Sequence, residues 1–258
     1  MKKNYFYLMS ILLSSTLSLV SCDNSIETEI LQKASIETSD IEMLSDDSML
    51  TFIYKGVTYT SECEHLGDST IILSEEVKAI ADKLALYPNL VSLVRSDGII
   101  EYFDDKYEAE SWLSNPILSR AVMPDGYFKI NGATATLYDD VNYKDRNYPF
   151  TIKEGDDPIT KELKDSEYKF NDKTSSLKLS GILNLTPSSY PHKRIVLTLY
   201  EDDHLSGNSV WFDIANYTFN GVPPHGDTAI PSLKSIPLYP GSSKNWNDKT
   251  TSIVLKYL

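Results

Sequence analysis

Alternation of apolar and polar positions dominates this chain from residue 50 onward and gives way only twice to a helical period. Leu50 to Tyr54 and Val57 to Thr60 alternate on either side of Lys55-Gly56, which predicts a short hairpin. Ser74, followed by Glu75 and Glu76, opens a stretch in which Val77, Ile80, Ala81 and Leu84 recur on one side of a helix, so that face is expected to be buried. Val91 to Arg95 and Ile99 to Phe103 bracket Ser96-Asp97-Gly98 as a second hairpin, and Lys106 to Leu113 reads as a closing helix. Residues 49–115 therefore predict a small α+β module whose helices cover one sheet. Beyond Asn115-Pro116 the helical period is lost, and residues 130–258 predict an all-β domain rich in aromatic residues.

The first 48 residues follow other rules. Met1-Lys2-Lys3-Asn4 and the apolar run Tyr5 to Val20 have the form of an export signal, expected over 1–21 and too short for a spanning helix. The run ends Leu19-Val20-Ser21-Cys22, which resembles the lipobox of bacterial lipoproteins and implies a lipid on Cys22 after cleavage. An ordinary signal peptide beside a chance cysteine is the weaker alternative. Residues 22–48 are rich in Ser, Thr, Asp and Glu and predict an acidic, flexible tether. The expected location is the bacterial cell envelope, at the outer membrane or cell surface.

Charge and cysteine content narrow the partners. The formal charge is −13, and it becomes −15 once Lys2 and Lys3 leave with the signal. Such a body lacks the basic footprint that nucleic acid requires and suits cations better. With Cys22 lipidated, Cys63 is the only thiol left, so no intrachain disulfide is available to an exported protein.

The β domain repeats itself. Thr134 to Phe150 (TATLYDDVNYKDRNYPF) aligns with Leu197 to Phe212 (LTLYEDDHLSGNSVWF), each an alternating strand ending in Leu-Tyr-acid-Asp, a short turn and a second strand. Each unit closes on nearly the same words, NDKTSS at Asn171 to Ser176 and NDKTTS at Asn247 to Ser252, before another alternating run. The repeats span about 132–182 and 194–258. Tyr138 to Asn171 is 33 residues and Tyr200 to Asn247 is 47, so the second carries 14 more, expected in the Pro-rich stretch Gly221 to Gly241.

At these residues the chain resembles the βγ-crystallin family, whose domain is an all-β sandwich of two Greek-key motifs. The family hairpin, aromatic-x4-aromatic-x-Gly, is matched by Tyr138 and Tyr143 with Asp145 in place of Gly, and by Tyr200 and Gly207 with Leu205 in place of the second aromatic. The family's calcium signature, [Asn/Asp]-[Asn/Asp]-x-x-[Ser/Thr]-Ser, is met by both closing stretches. One isolated copy would read as an ordinary Asx turn, but two copies in register behind matching hairpins favour the metal reading.

The resemblance implies two Ca²⁺ ions shared between the motifs. By position, one ion would take Asp172, the Lys173 carbonyl and Thr251, and the other Asp248, the Lys249 carbonyl and Ser175. The carbonyls of Asp139 and Glu201, just after the hairpin tyrosines, would complete the sets, in an order the sequence leaves open. Asn171 and Asn247 would pin their loops. One carboxylate per ion predicts modest affinity, roughly 10⁻⁶ to 10⁻³ M.

Other chemistry is thin, and an enzyme is not expected. Cys63-Glu64-His65 places a thiol near a base, but adjacent residues rarely reach catalytic geometry, and Cys63 reads as a buried small residue. His192, His204 and His225 share no metal-ligand spacing. Asp139-Asp140 and Asp202-Asp203 could be imagined as paired acids for sugar hydrolysis, yet they occupy matching turn positions of a repeat. Two further roles remain as alternatives: a peptidase inhibitor of related fold, acting through Gly221 to Gly241, or an adhesin binding glycans through exposed aromatics such as Trp211 or Trp246.

Overall fold

A computed structural model describes residues 49–66, 69–95, 97–114, 128–165, 167–187, 194–215 and 227–258. The export signal, the tether and Cys22 lie outside the described residues, as do His192, His225 and positions 221–226 of the Pro-rich stretch.

Strands β1 (Met49–Tyr54) and β2 (Val57–Leu66) form the first hairpin, turning through Lys55 and Gly56 at positive φ. A short β3 (Ser69–Ile72) extends it from β2. Helix α1 (Glu75–Leu84) starts where the Ser74 hydroxyl accepts the Val77 N–H, with Glu75 and Glu76 suited to its positive end. Strands β4 (Val91–Val94) and β5 (Ile100–Phe103) pair antiparallel, and β5 lies parallel to β1. Helix α2 (Lys106–Leu113) is capped by the Asp105 carboxylate, which accepts from the N–H groups of Tyr107 and Glu108. The two helices cover opposite faces of this sheet. Val77, Ala81 and Leu84 of α1 pack on Phe52, Tyr54 and Tyr102. Ala109 and Leu113 of α2 pack on Val91, Leu93 and Phe103.

The first repeat supplies β6 (Phe128–Asp140), β7 (Lys144–Lys153), β8 (Ile159–Glu162) and β9 (Ser176–Pro187), and the second β10 (Arg194–Tyr200), β11 (Ser209–Ala215), β12 (Thr228–Ile230) and β13 (Ser252–Tyr257). They do not form two separate sheets by repeat. The third strand of each unit crosses over, β8 pairing with β13 and β12 with β9. The result is a four-stranded sheet ordered β12-β9-β6-β7 and a nine-stranded one ordered β3-β2-β1-β5-β4-β11-β10-β13-β8.

The described residues are thus mostly β-sheet, and the two repeat sheets share one core. Leu137, Phe150 and Leu177 from one meet Leu197, Phe212 and Leu255 from the other. Alternation along each strand delivers those residues inward.

The nine-stranded sheet continues without interruption between the two predicted regions, because β4 pairs parallel with β11 from Val91 opposite Ser209 to Val94 opposite Phe212. Trp211 and Val196 project from the outer face of this sheet and are covered there by α2. Trp211, expected as an exposed aromatic, is therefore 1% exposed; Trp246, expected likewise, is fully buried in the sandwich core. A surface role through either indole is corrected by this packing.

Candidate metal centre

The two Asn-Asp-Lys-Thr loops hang from equivalent buried aromatics, Phe170 and Trp246, each immediately before the motif. Their second residues, Asp172 and Asp248, adopt left-handed backbone at φ 51° and 54°. That conformation is costly for most side chains and tolerated by Asp and Asn, which explains the residue type at that position. The neighbouring Asn171 and Asn247 each donate an amide hydrogen to the adjacent aspartate, at 2.6 and 2.7 Å.

Each loop is completed by the other. The Asp172 N–H donates to the Thr250 carbonyl at 3.1 Å, and the Asp248 N–H to the Thr174 carbonyl at 3.0 Å. The Ser175 hydroxyl donates to Asp248 Oδ1 at 2.9 Å, and Thr251 makes the equivalent but longer contact with Asp172 Oδ1 at 3.4 Å. The fifth-position hydroxyl of each motif thus meets the second-position carboxylate of its counterpart.

The hairpins join this arrangement in a definite order. The Ser175 N–H donates to the Tyr138 carbonyl and the Thr251 N–H to the Tyr200 carbonyl, both at 2.9 Å. Asp139 therefore belongs beside Ser175 and Asp248, and Glu201 beside Thr251 and Asp172. A cleft of about 320 Å³ opens at the first group, lined by Asp139, Asp140, Ser175, Asp172, Asp248 and Lys234 among others.

The sixth-position serines, unassigned from the sequence, tie loop to hairpin. Ser176 donates to the Asp140 carbonyl at 2.6 Å and accepts from the Tyr143 N–H; Ser252 donates to the Asp202 carbonyl at 2.8 Å and accepts from the Leu205 N–H. Their signal was the invariant last letter of the repeated motif. Arg146, 2.9 Å from Asp139, and Lys234 at the cleft carried no such signal.

Chemically, each corner presents a carboxylate, a hydroxyl and nearby backbone carbonyls, all hard oxygens of the type Ca²⁺ accepts. Both aspartates are solvent-facing, so an ion could reach them without opening the core. Among the described residues no group of three or more His, Cys, Asp or Glu converges as a ligand set. A cation here would draw on hydroxyl and carbonyl oxygens as much as on its single carboxylate.

Cys63 is buried, and desolvation pushes its thiol up from its ordinary value. His204 sits exposed in the second hairpin turn, beside Asp203. No protein-family model matches this sequence, and no curated protein or solved structure is significantly similar to it.

Proposed function

We propose that this is an exported, lipid-anchored calcium-binding protein whose C-terminal region is a βγ-crystallin-like pair of Greek keys sharing two Ca²⁺ ions. The observation that carries the reading is the crossed pairing of Ser175 with Asp248 and Thr251 with Asp172. An arrangement in which neither repeat can complete an oxygen cage alone is what shared ions need. The exchange of β8 and β12 between sheets supports the same reading, since it brings the two motif loops together.

One ion would take Asp248, the Lys249 carbonyl, Ser175 and the Asp139 carbonyl. The other would take Asp172, the Lys173 carbonyl, Thr251 and the Glu201 carbonyl. The lysine side chains do not matter to this, because only their backbone oxygen is asked for. The protein's own part is positional: the left-handed aspartates aim their carboxylates across the seam, and the asparagines and sixth-position serines hold the loops to their hairpins. Bound calcium would favour the folded state by mass action, about 2.7 kcal/mol at a hundredfold excess over the dissociation constant. No catalytic role is assigned. Lipid on Cys22 would hold the protein at the cell envelope.

The test is calorimetric titration of the chelator-treated full chain with calcium, beside an Asp172→Ala, Asp248→Ala double variant. The expected result is two binding events and a calcium-dependent rise in melting temperature, both lost in the double variant. Absence of binding by the wild type, or binding untouched by the double substitution, overturns the reading.

A further inference from the structure

The two corners are related by the internal repeat, and comparing them position by position reveals where the relation fails. Leu163 and Leu233 are equivalent, their N–H groups donating to the carbonyls of Thr251 at 2.9 Å and Ser175 at 2.8 Å. The residues that follow, Lys164 and Lys234, are therefore also equivalent. Lys164 forms an ion pair with Asp203 in the second hairpin. The first hairpin has Val141 at the matching place, so Lys234 lines the cleft of Asp139, Ser175 and Asp248 with no ion-pair partner among the described residues.

A second mismatch lies eight residues past each hairpin tyrosine. Arg146 pairs with Asp139 at 2.9 Å, whereas its counterpart Asn208 donates a neutral amide hydrogen to Glu201 at 3.0 Å. The charges set around the two corners consequently differ. Arg146 and Lys234 stand with Asp139, Asp140 and Asp248. Lys164, already neutralised, and the exposed His204 stand with Glu201, Asp202, Asp203 and Asp172. Asp172 and Lys173, opposite in charge, also line the cleft of Lys234 and offset each other there.

We infer that the two cages are unequal: the corner of Asp172, Thr251 and Glu201 takes a divalent cation more tightly than that of Asp248, Ser175 and Asp139, and Lys234 sets the affinity of the weaker one. This rests on the calcium reading above. An ammonium facing a divalent ion repels it with twice the force it exerts on a monovalent one, and Lys234 is exposed, so solvent and salt screen the effect. The expected weakening is about threefold to tenfold at low ionic strength.

The experiment titrates chelator-treated full-length protein with calcium in low-salt buffer, for the wild type, Asp248→Asn, Asp172→Asn and Lys234→Gln, following heat and melting temperature. The wild type should bind in two resolved steps. Asp248→Asn should remove the weaker step and Asp172→Asn the tighter. Lys234→Gln, a surface change that leaves every loop contact in place, should tighten the weaker step about threefold to tenfold, with the gain shrinking as salt is added. Two steps of equal affinity, a tight step lost in Asp248→Asn, or a weaker step unmoved in Lys234→Gln each overturn this inference while leaving calcium binding intact. A wild type that binds no calcium overturns the calcium reading itself.

Discussion

Ser175 donates its hydroxyl hydrogen to Asp248 across 73 positions of sequence, so the first repeat closes the loop of the second by a single side chain at 2.9 Å. The contact needs no metal, and it should contribute to stability in calcium-free solution. A hydrogen bond to an ionised, solvent-facing acceptor is expected to couple by about 0.5–1 kcal/mol. A double-mutant cycle of Ser175→Ala and Asp248→Ala, read by chemical denaturation in the presence of chelator, should give that coupling. The cycle of Thr251→Ala with Asp172→Ala should give less, because its contact is 3.4 Å. Equal or vanishing couplings would deny that the observed geometry sets the strength of the two seams.

The hairpins carry a matched pair with opposite solutions. Asp145 and Gly207 occupy the same place in the repeat, and both are left-handed, at φ 62° and 73°. Glycine has no Cβ to strain there, while a non-glycine residue costs about 1 kcal/mol or more. Asp145→Gly is therefore expected to be neutral to stabilising, by at most about 1 kcal/mol, since Asp tolerates this conformation better than most side chains. Gly207→Ala should destabilise it, since a Cβ at that site would also stand 2.5 Å from Asp202 Oδ2. Paired urea melts decide the matter: a loss of stability in Asp145→Gly would contradict the argument.

The junction of β4 with β11 makes the two predicted regions one mechanical body. The Leu90 N–H donates to Asn208 Oδ1 at 3.1 Å, the Ser209 N–H returns to the Leu90 carbonyl at 2.9 Å, and Lys256 pairs with Glu110 of α2. Trp211 lies in one cluster with Phe103, Ala109 and Leu113. The expectation is a single calorimetric unfolding transition, and a loss of about 3–5 kcal/mol in Trp211→Ala. Two separated transitions in the wild type, or a nearly neutral Trp211→Ala, would show that the seam carries little.

How much of this was legible follows the range of the interactions. Lys55-Gly56 announced its hairpin, Ser74 and the spacing of Val77, Ala81 and Leu84 announced α1, and Lys106 to Leu113 announced α2, because each depends on neighbours in sequence. The repeated motif was visible for the same reason. Strands β3 and β8, four residues each, were not anticipated. The pairing partners of β8 and β12, and the parallel pairing of β4 with β11, are chosen by core geometry over long separations, which no local pattern encodes. Trp211 shows the consequence. Alternation places it on the outer face of its sheet, where an isolated sandwich would expose it, and only α2, contributed from a hundred positions earlier, makes that face interior. At the candidate site the repeated oxygens were readable, but Lys234 was not, since its equivalence to Lys164 emerges only when Leu163 and Leu233 are seen to make the same bond.

Glu101 offers a test by pH that is independent of the loops. It lies on β5, 2% exposed, with Arg95 Nη1 3.4 Å from its carboxylate. Burial pushes the carboxyl above its ordinary value, and the nearby guanidinium offsets this only in part. A carboxyl whose proton is held more tightly in the folded state contributes stability that is full below the unfolded value of about 4.3 and is lost as pH rises through the folded one. Glu101→Gln keeps the shape and an oxygen for Arg95 while removing the charge, so it mimics the protonated form at every pH. The variant should therefore gain on the wild type as pH climbs from about 4 through the mildly acid range, and hold a constant advantage near neutrality. Parallel urea titrations of both proteins across that range, with chelator present, measure the difference directly; a gap that widened toward low pH instead would mean that Arg95 outweighs burial and that the sign is reversed.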